Sequence, residues 1–92
     1  MKNYLEDLAY AFMMIRNKDD MLKFFDEIFT KNEIKKFEER WKLLTHLFLG
    51  EKQREIAKKF NLSLCKITRG AKILKNKKSI TYQLLSEIYK EK

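Results

Sequence analysis

The sequence contains no proline and only two glycines, Gly50 and Gly70, among its 92 residues. All-β folds need more turn residues of these types, so the composition favours a mostly helical fold with tight connections. No run of about 18 apolar residues and no signal-peptide pattern is present, which predicts a cytoplasmic protein without a membrane segment. A chain of this length is expected to form one domain with a modest core, which excludes multidomain enzymes.

Residues that carry catalytic chemistry are scarce. Cys65 is the single cysteine and has no partner for an internal disulfide, and His46 is the single histidine. His46 lies in an apolar run, which favours a structural or interface role over a role as a base or metal ligand. Because a Ser/His/Asp set, metal-ligand spacing and a phosphate-binding glycine loop are also missing, we expect neither an enzyme nor a metal protein.

Positive charge is abundant and unevenly distributed. The formal net charge is +8 for the whole chain, but residues 1–30 sum to −2, residues 31–92 to +10 and residues 52–78 alone to +9. A cluster of this kind predicts a surface that binds a polyanion. The alternative is a solvated basic surface that serves solubility.

Apolar spacing predicts three helices in the first 50 residues. The first follows a stripe between residues 4 and 15, and the second covers residues 21–29 with Asp19 or Asp20 as its expected cap. Thr30 and Glu33 fit a capping box for a long third helix, which Gly50 is placed to terminate.

Most of the aromatic residues of the chain lie within residues 1–48. This apolar surface exceeds what a short helical bundle can bury alone. We therefore expect a homodimer in which the N-terminal helices of two chains pack together. The alternative is a compact monomer with a large aromatic core.

Residues 53–74 have the pattern of two short helices around a tight turn. Ala57 is small where the helices would cross, Asn61 tolerates a left-handed backbone, and Ser63 can cap the second helix. Together with the local charge of +9, this spacing predicts a helix-turn-helix unit that binds DNA.

In such a unit the N-terminal end of the second helix faces base edges in the major groove, and surrounding cations contact phosphates. The candidates for base edges or the adjacent backbone are Leu64, Cys65, Lys66 and Thr68, and the candidates for phosphates include Lys72 and Lys75. Gly70 is unusual, since a glycine inside a helix costs about 1 kcal/mol relative to alanine. Either another backbone packs against it, which the spacing favours, or it leaves space for a ligand.

Several segments resemble the tryptophan repressor family. They are Thr30-x-x-Glu33, Arg40, Leu49-Gly50-Glu51, Gln53-Arg54-Glu55-Ile56, Ile67-Thr68-Arg69-Gly70 and Leu74-Lys75. The resemblance implies an all-α intertwined homodimer of about six helices per chain. It also implies one domain over residues 1–92, with dimerisation helices in 1–50, the helix-turn-helix unit in 51–76 and a C-terminal helix in 77–92.

The resemblance further implies repression of genes for tryptophan biosynthesis or transport when L-tryptophan binds as co-repressor. Arg40 and Arg69 would flank the indole ring, Arg69 and Thr30 would meet the carboxylate, and Gly70 would leave room for the ligand. Arginine suits both the indole ring and the carboxylate of this ligand, because a guanidinium plane stacks on aromatic rings and pairs with carboxylates. The partner would be an operator in double-stranded DNA. The residues at the DNA-facing positions of the family are Gln53, Arg54, Leu64, Cys65, Thr68, Lys72 and Lys75.

Three features differ from the family pattern. Lys66 replaces a threonine, Ile73 replaces a serine near the indole nitrogen, and the connection of Glu51 and Lys52 is one residue shorter. One alternative is therefore a related dimeric DNA-binding regulator with a different ligand or none. A second alternative is a basic protein that binds nucleic acid without sequence preference.

Overall fold

The computed structural model describes residues 2–90, and this part of the chain is all-helical with six α-helices. The helices are α1 (Tyr4–Met14), α2 (Lys18–Ile28), α3 (Lys31–Phe48), α4 (Gln53–Phe60), α5 (Leu64–Lys75) and α6 (Ile80–Tyr89). The predicted all-α class and the predicted number of helices are confirmed.

Side-chain caps determine where α2 and α3 begin. The predicted cap of α2 by Asp19 or Asp20 is wrong, because Asn17 Oδ1 accepts from the Asp20 N–H at 2.8 Å. The two aspartates instead lie in the first turn, where they interact favourably with the helix dipole. The capping box of α3 is confirmed: Thr30 Oγ1 accepts from the Glu33 N–H at 3.1 Å, and Glu33 Oε1 accepts from the Thr30 N–H at 2.9 Å.

Gly50 ends α3 in a Schellman motif. Its φ angle of 90° lies in the left-handed region, which glycine adopts without steric cost. The Gly50 N–H donates to the Leu47 carbonyl and the Glu51 N–H donates to the His46 carbonyl, both at 3.1 Å. The predicted end of the third helix is therefore confirmed, and the chain turns there toward α4.

The chain divides into two compact units, the first extending to Lys36 and the second beginning at Phe37. In the first unit, the ring of Phe12 contacts Phe24 edge-on at a centroid distance of 5.5 Å and Phe25 at 6.0 Å. Neither α1 nor α2, as described, contains a buried residue. Aromatic contacts thus hold this unit together without enclosing a core.

The second unit has a core to which three helices contribute. Leu43 of α3, Ile56 of α4 and Ile67 of α5 are buried together. Partly buried side chains surround them: Leu47, Ala57, Phe60 and Leu62. Full burial of an isoleucine side chain contributes about 1.5–3 kcal/mol, so Ile56 and Ile67 fix the angle between α4 and α5.

Candidate functional site

The turn between α4 and α5 has the geometry that the sequence predicts. Asn61 adopts a left-handed backbone with φ 53° and ψ 49°, and the Leu62 N–H donates to the Ala57 carbonyl at 3.1 Å. Ser63 then caps α5, since its Oγ accepts from the Lys66 N–H at 3.4 Å. These bonds join two short helices through a turn of three residues, which confirms the predicted helix-turn-helix geometry.

One face of α5 is buried and the opposite face is exposed. Ile67 and Gly70 lie on the buried face, whereas the exposed face carries residues at three- and four-residue spacing: Cys65, Thr68, Lys72 and Lys75. Every side chain that the sequence predicts to contact DNA is exposed: Gln53, Arg54, Leu64, Cys65, Lys66, Thr68, Lys72 and Lys75. The two-helix unit therefore presents all of these groups to a partner.

The cations of this surface are available for an external anion. Within residues 2–90, Arg54, Lys66 and Lys72 form no ion pair with a carboxylate. Lys52, the N-cap of α4, makes no side-chain cap hydrogen bond to the N–H groups of the first turn. Those N–H groups and the positive end of the helix dipole favour an anion beside Gln53 and Arg54.

The residues implied as ligand contacts occupy both units. Thr30 lies in the first unit and its hydroxyl is engaged in the capping box of α3. Arg40 of α3 and Arg69 of α5 lie in the second unit, and both are exposed. Their roles in ligand binding stay predictions.

Gly70 lies where α5 packs closely against α3. A Cβ atom at this position would be 3.1 Å from Leu47 Cδ1, 3.5 Å from Leu44 Cδ2 and 3.7 Å from Leu43 Cδ2. The side chains of α3 thus leave little free space beside this position. Its role in leaving room for a ligand stays a prediction.

His46 contacts neighbours that sequence reasoning did not identify. Its Nδ1 hydrogen-bonds to Glu51 Oε2, and its ring meets Phe60 edge-on at a centroid distance of 4.8 Å. The bond from His46 and the nearby Lys59 lower the pKa of Glu51 below its ordinary value of 4.5. Gly50 is the signal that could have identified Glu51, because a Schellman motif returns the residue after the glycine toward the last helical turn.

Two other kinds of feature, a metal site and a membrane span, are absent from the described residues. Residues 2–90 contain no group of three or more His, Cys, Asp or Glu side chains that could hold a metal ion. No helix within the same residues is long and apolar enough to cross a membrane.

Comparison with known proteins adds evidence independent of this geometry. The family model described as "Trp repressor protein" matches residues 3–88, which is nearly the whole chain. The chain belongs to the Trp repressor family. Trp repressor family proteins are DNA-binding transcriptional regulators and not enzymes, in agreement with the helix-turn-helix unit.

Named members of the Trp repressor family are similar over most of their length. The "Trp operon repressor homolog" of Chlamydia trachomatis serovar D is 36% identical over 80 residues, which cover 82% of this chain and 85% of the relative. The proteins of the same name from serovars A and L2 align with the same identity and coverage. No solved structure matches the chain significantly.

Proposed function

We propose that this protein is a sequence-specific DNA-binding repressor that acts in the cytoplasm as a homodimer and inserts α5 into the major groove. The observation that carries the proposal is the pairing, in α5, of a buried face at Ile67 and Gly70 with an exposed face of polar and basic side chains. The buried face of such a helix packs against the protein core, so the exposed face is free to contact a duplex.

The exposed groups divide into base contacts and phosphate contacts. Arg54 is placed at the start of α4, where a guanidinium can pair bidentately with guanine O6 and N7. The N-terminal turn of α5 presents groups for base edges: Leu64, Cys65, Lys66 and Thr68. Gln53, Lys72 and Lys75 then contact the backbone and set the register of the protein on the duplex.

Exposed apolar side chains support the dimer. Leu5 is 76% exposed and Met13 78% exposed in α1, although both are strongly apolar. A second chain that covers this surface would remove it from water, which stabilises a dimer. Two-fold symmetry would then present two α5 helices to successive major grooves, about 34–36 Å apart.

L-tryptophan is the proposed co-repressor, and genes for tryptophan biosynthesis or transport are the proposed targets. Family membership and the named Trp operon repressor homologues support this choice. Arg40 and Arg69 would stack on the indole, Arg69 and Thr30 would meet the carboxylate, and Gly70 would leave room for the ligand. The ligand would raise DNA affinity by binding the DNA-competent arrangement more tightly than other arrangements.

A second candidate is a DNA-binding regulator with a different ligand or none. The packing of Gly70 against Leu47 favours it, because the space beside this glycine is already occupied by a side chain. The apolar, partly buried Ile73 also offers no hydrogen bond to an indole nitrogen. In that case DNA affinity would be high without L-tryptophan.

DNA specificity is tested by selecting duplexes from a randomised library and measuring their affinity by fluorescence anisotropy over a range of salt concentrations. Arg54→Ala should relax the preference at one base position, whereas Lys72→Ala should weaken all duplexes alike and reduce the salt slope by about 1. If the wild-type protein binds selected and shuffled duplexes equally, it binds nucleic acid by charge alone and the proposal is wrong.

Ligand binding is tested by calorimetric titration with L-tryptophan, because Trp41 of the protein obscures a fluorescence titration. Arg69→Ala should abolish the heat of binding. Arg16→Ala is the matched control, since it removes the same exposed charge outside the proposed ligand contacts. Absence of heat with the wild-type protein, despite specific DNA binding, would favour the second candidate.

A further inference from the structure

A cluster of side chains joins the end of α3 to both ends of α4. We call it the His46–Glu51 clamp, and it comprises Lys42, His46, Glu51, Lys59 and Phe60. His46 Nδ1 donates to Glu51 Oε2, and Lys59 Nζ lies 3.7 Å from Glu51 Oε1. Lys42 Nζ lies 4.4 Å from the centroid of the Phe60 ring, which His46 also contacts. The clamp therefore combines an ion pair, a hydrogen bond and cation–π contacts.

His46 and Glu51 are linked twice. The Glu51 N–H donates to the His46 carbonyl at 3.1 Å, and the His46 side chain donates to the Glu51 carboxylate. Because an ionised carboxylate only accepts hydrogen bonds, the proton of this bond lies on Nδ1. Both side chains are partly shielded from water, with 23% and 30% exposure, which strengthens their interaction relative to a fully exposed pair.

The start of α4 differs from that of the other described helices, because it has no side-chain cap of its own. The N-termini of the other helices each have a cap from a polar side chain: Asn3, Asn17, Thr30, Ser63 and Ser79. Lys52 caps α4 without a side-chain hydrogen bond. Glu51 directly precedes Lys52, and its two hydrogen bonds to His46 connect the first turn of α4, which carries Arg54, to the end of α3.

We propose that the His46–Glu51 clamp is a positioning device that holds the first turn of α4, and with it Arg54, at a fixed angle to α3. This inference rests on the proposed function, in which Arg54 reads a base. His46 and Glu51 act through Arg54 and do not touch DNA themselves. The lowered pKa of Glu51 agrees with a carboxylate that stays ionised within the clamp.

Glu51 could affect DNA affinity through its negative charge or through its hydrogen bond to His46, and these two roles predict opposite effects of removing its side chain. Loss of one negative charge beside a basic surface raises affinity for DNA in general. Loss of the clamp lets the first turn of α4 move and lowers affinity for the selected duplex. A decrease in specific affinity therefore identifies positioning.

The variants are Glu51→Ala, Glu51→Gln and His46→Phe. Glu51→Ala and His46→Phe should each weaken binding of the selected duplex by roughly three- to ten-fold, the effect of losing a hydrogen bond of typical net strength. His46→Phe removes the hydrogen bond but keeps an aromatic ring against Phe60. Glu51→Gln keeps an oxygen that accepts from His46, so its affinity for the selected duplex should be close to that of the wild-type protein. In an Arg54→Ala background the same changes should have little further effect.

Glu87→Ala is the matched control, because it removes a carboxylate that pairs with Lys90 at 2.8 Å on α6. It should leave specific affinity unchanged or slightly raised. Circular dichroism checks that each variant is folded.

A second measurement on the free protein separates this inference from the proposed function. The Ile56 N–H donates to the Lys52 carbonyl at 3.1 Å and so reports opening of the first turn of α4. Its hydrogen exchange should accelerate roughly three- to ten-fold in Glu51→Ala and not in Glu87→Ala. The positioning role would be overturned if exchange of the Ile56 N–H were unchanged in Glu51→Ala. It would also be overturned if the effects of Glu51→Ala and Arg54→Ala on DNA affinity were additive in the double variant. If Glu51→Ala accelerates exchange but the wild-type protein shows no sequence-specific DNA binding, the result would instead contradict the proposed function.

Discussion

Replacing Gly70 by alanine tests why a glycine lies in the middle of α5. Alanine is the better helix former by about 1 kcal/mol. Its Cβ would lie 3.1 Å from Leu47 Cδ1, which is a few tenths of an ångström closer than ordinary contact. Leu47 is partly buried and Cδ1 is a terminal methyl group, so a small rotation relieves this contact for less than about 1 kcal/mol. The free energy of unfolding should be unchanged or up to about 1 kcal/mol higher.

The assay is urea unfolding followed by circular dichroism at one protein concentration, since association of subunits would contribute to apparent stability. Gly50→Ala is the matched control. Gly50 has φ 90° with no atom near its Cβ position, so alanine there introduces backbone strain alone and should lower stability by about 1–2 kcal/mol. A Gly70→Ala variant that loses as much stability as Gly50→Ala would refute the reasoning about Leu47.

The same Gly70→Ala protein also tests the ligand site. If Gly70 leaves room for L-tryptophan, a methyl group there overpacks the site and should weaken ligand binding by roughly ten-fold or more. A stable variant that binds L-tryptophan as the wild-type protein does would show that neither helix packing nor ligand binding requires a glycine at this position.

Three further predictions concern stability. Ile67→Ala should lower the free energy of unfolding by about 2–5 kcal/mol in urea because Ile67 is fully buried, while Ile80→Ala, at an exposed position, should change it little. Thr30→Ala should cost about 1 kcal/mol in the same assay, since it removes the capping acceptor of α3; no loss would contradict the capping box. Glu51 has a lowered pKa in the folded protein, so its stabilising effect is present above the unfolded pKa and is lost as pH falls through the folded value. Thermal unfolding below about pH 4.5 should therefore depend more steeply on pH in the wild-type protein than in Glu51→Gln, and equal slopes would contradict this.

Local signals predicted the helices well because they act within a few residues. The capping box of Thr30, the left-handed Asn61 and the terminating Gly50 depend only on neighbouring backbone groups, so each could be predicted from the sequence. The predicted cap of α2 is wrong because Asn17, Asp19 and Asp20 are all of residue types that cap helices well. The choice among them depends on where the chain enters the helix.

Tertiary contacts explain what the sequence did not predict. The bond between His46 and Glu51 requires the turn at Gly50, and the contact of His46 with Phe60 requires α4 to fold back beside α3. The space beside Gly70 likewise depends on which leucines of α3 face it. Helical periodicity accounts for the exposure of the candidate DNA contacts. Their fit to a duplex would depend on how two subunits are arranged in the proposed homodimer.

The most direct test of the central claim is the affinity for a selected duplex, measured by fluorescence anisotropy with and without L-tryptophan. Linkage requires that L-tryptophan raise DNA affinity by the same factor by which DNA raises L-tryptophan affinity in calorimetry. A tryptophan-gated repressor should show both increases, with factors of roughly 5–150, and Arg69→Ala should abolish both. DNA affinity that is identical with and without L-tryptophan would contradict the claim.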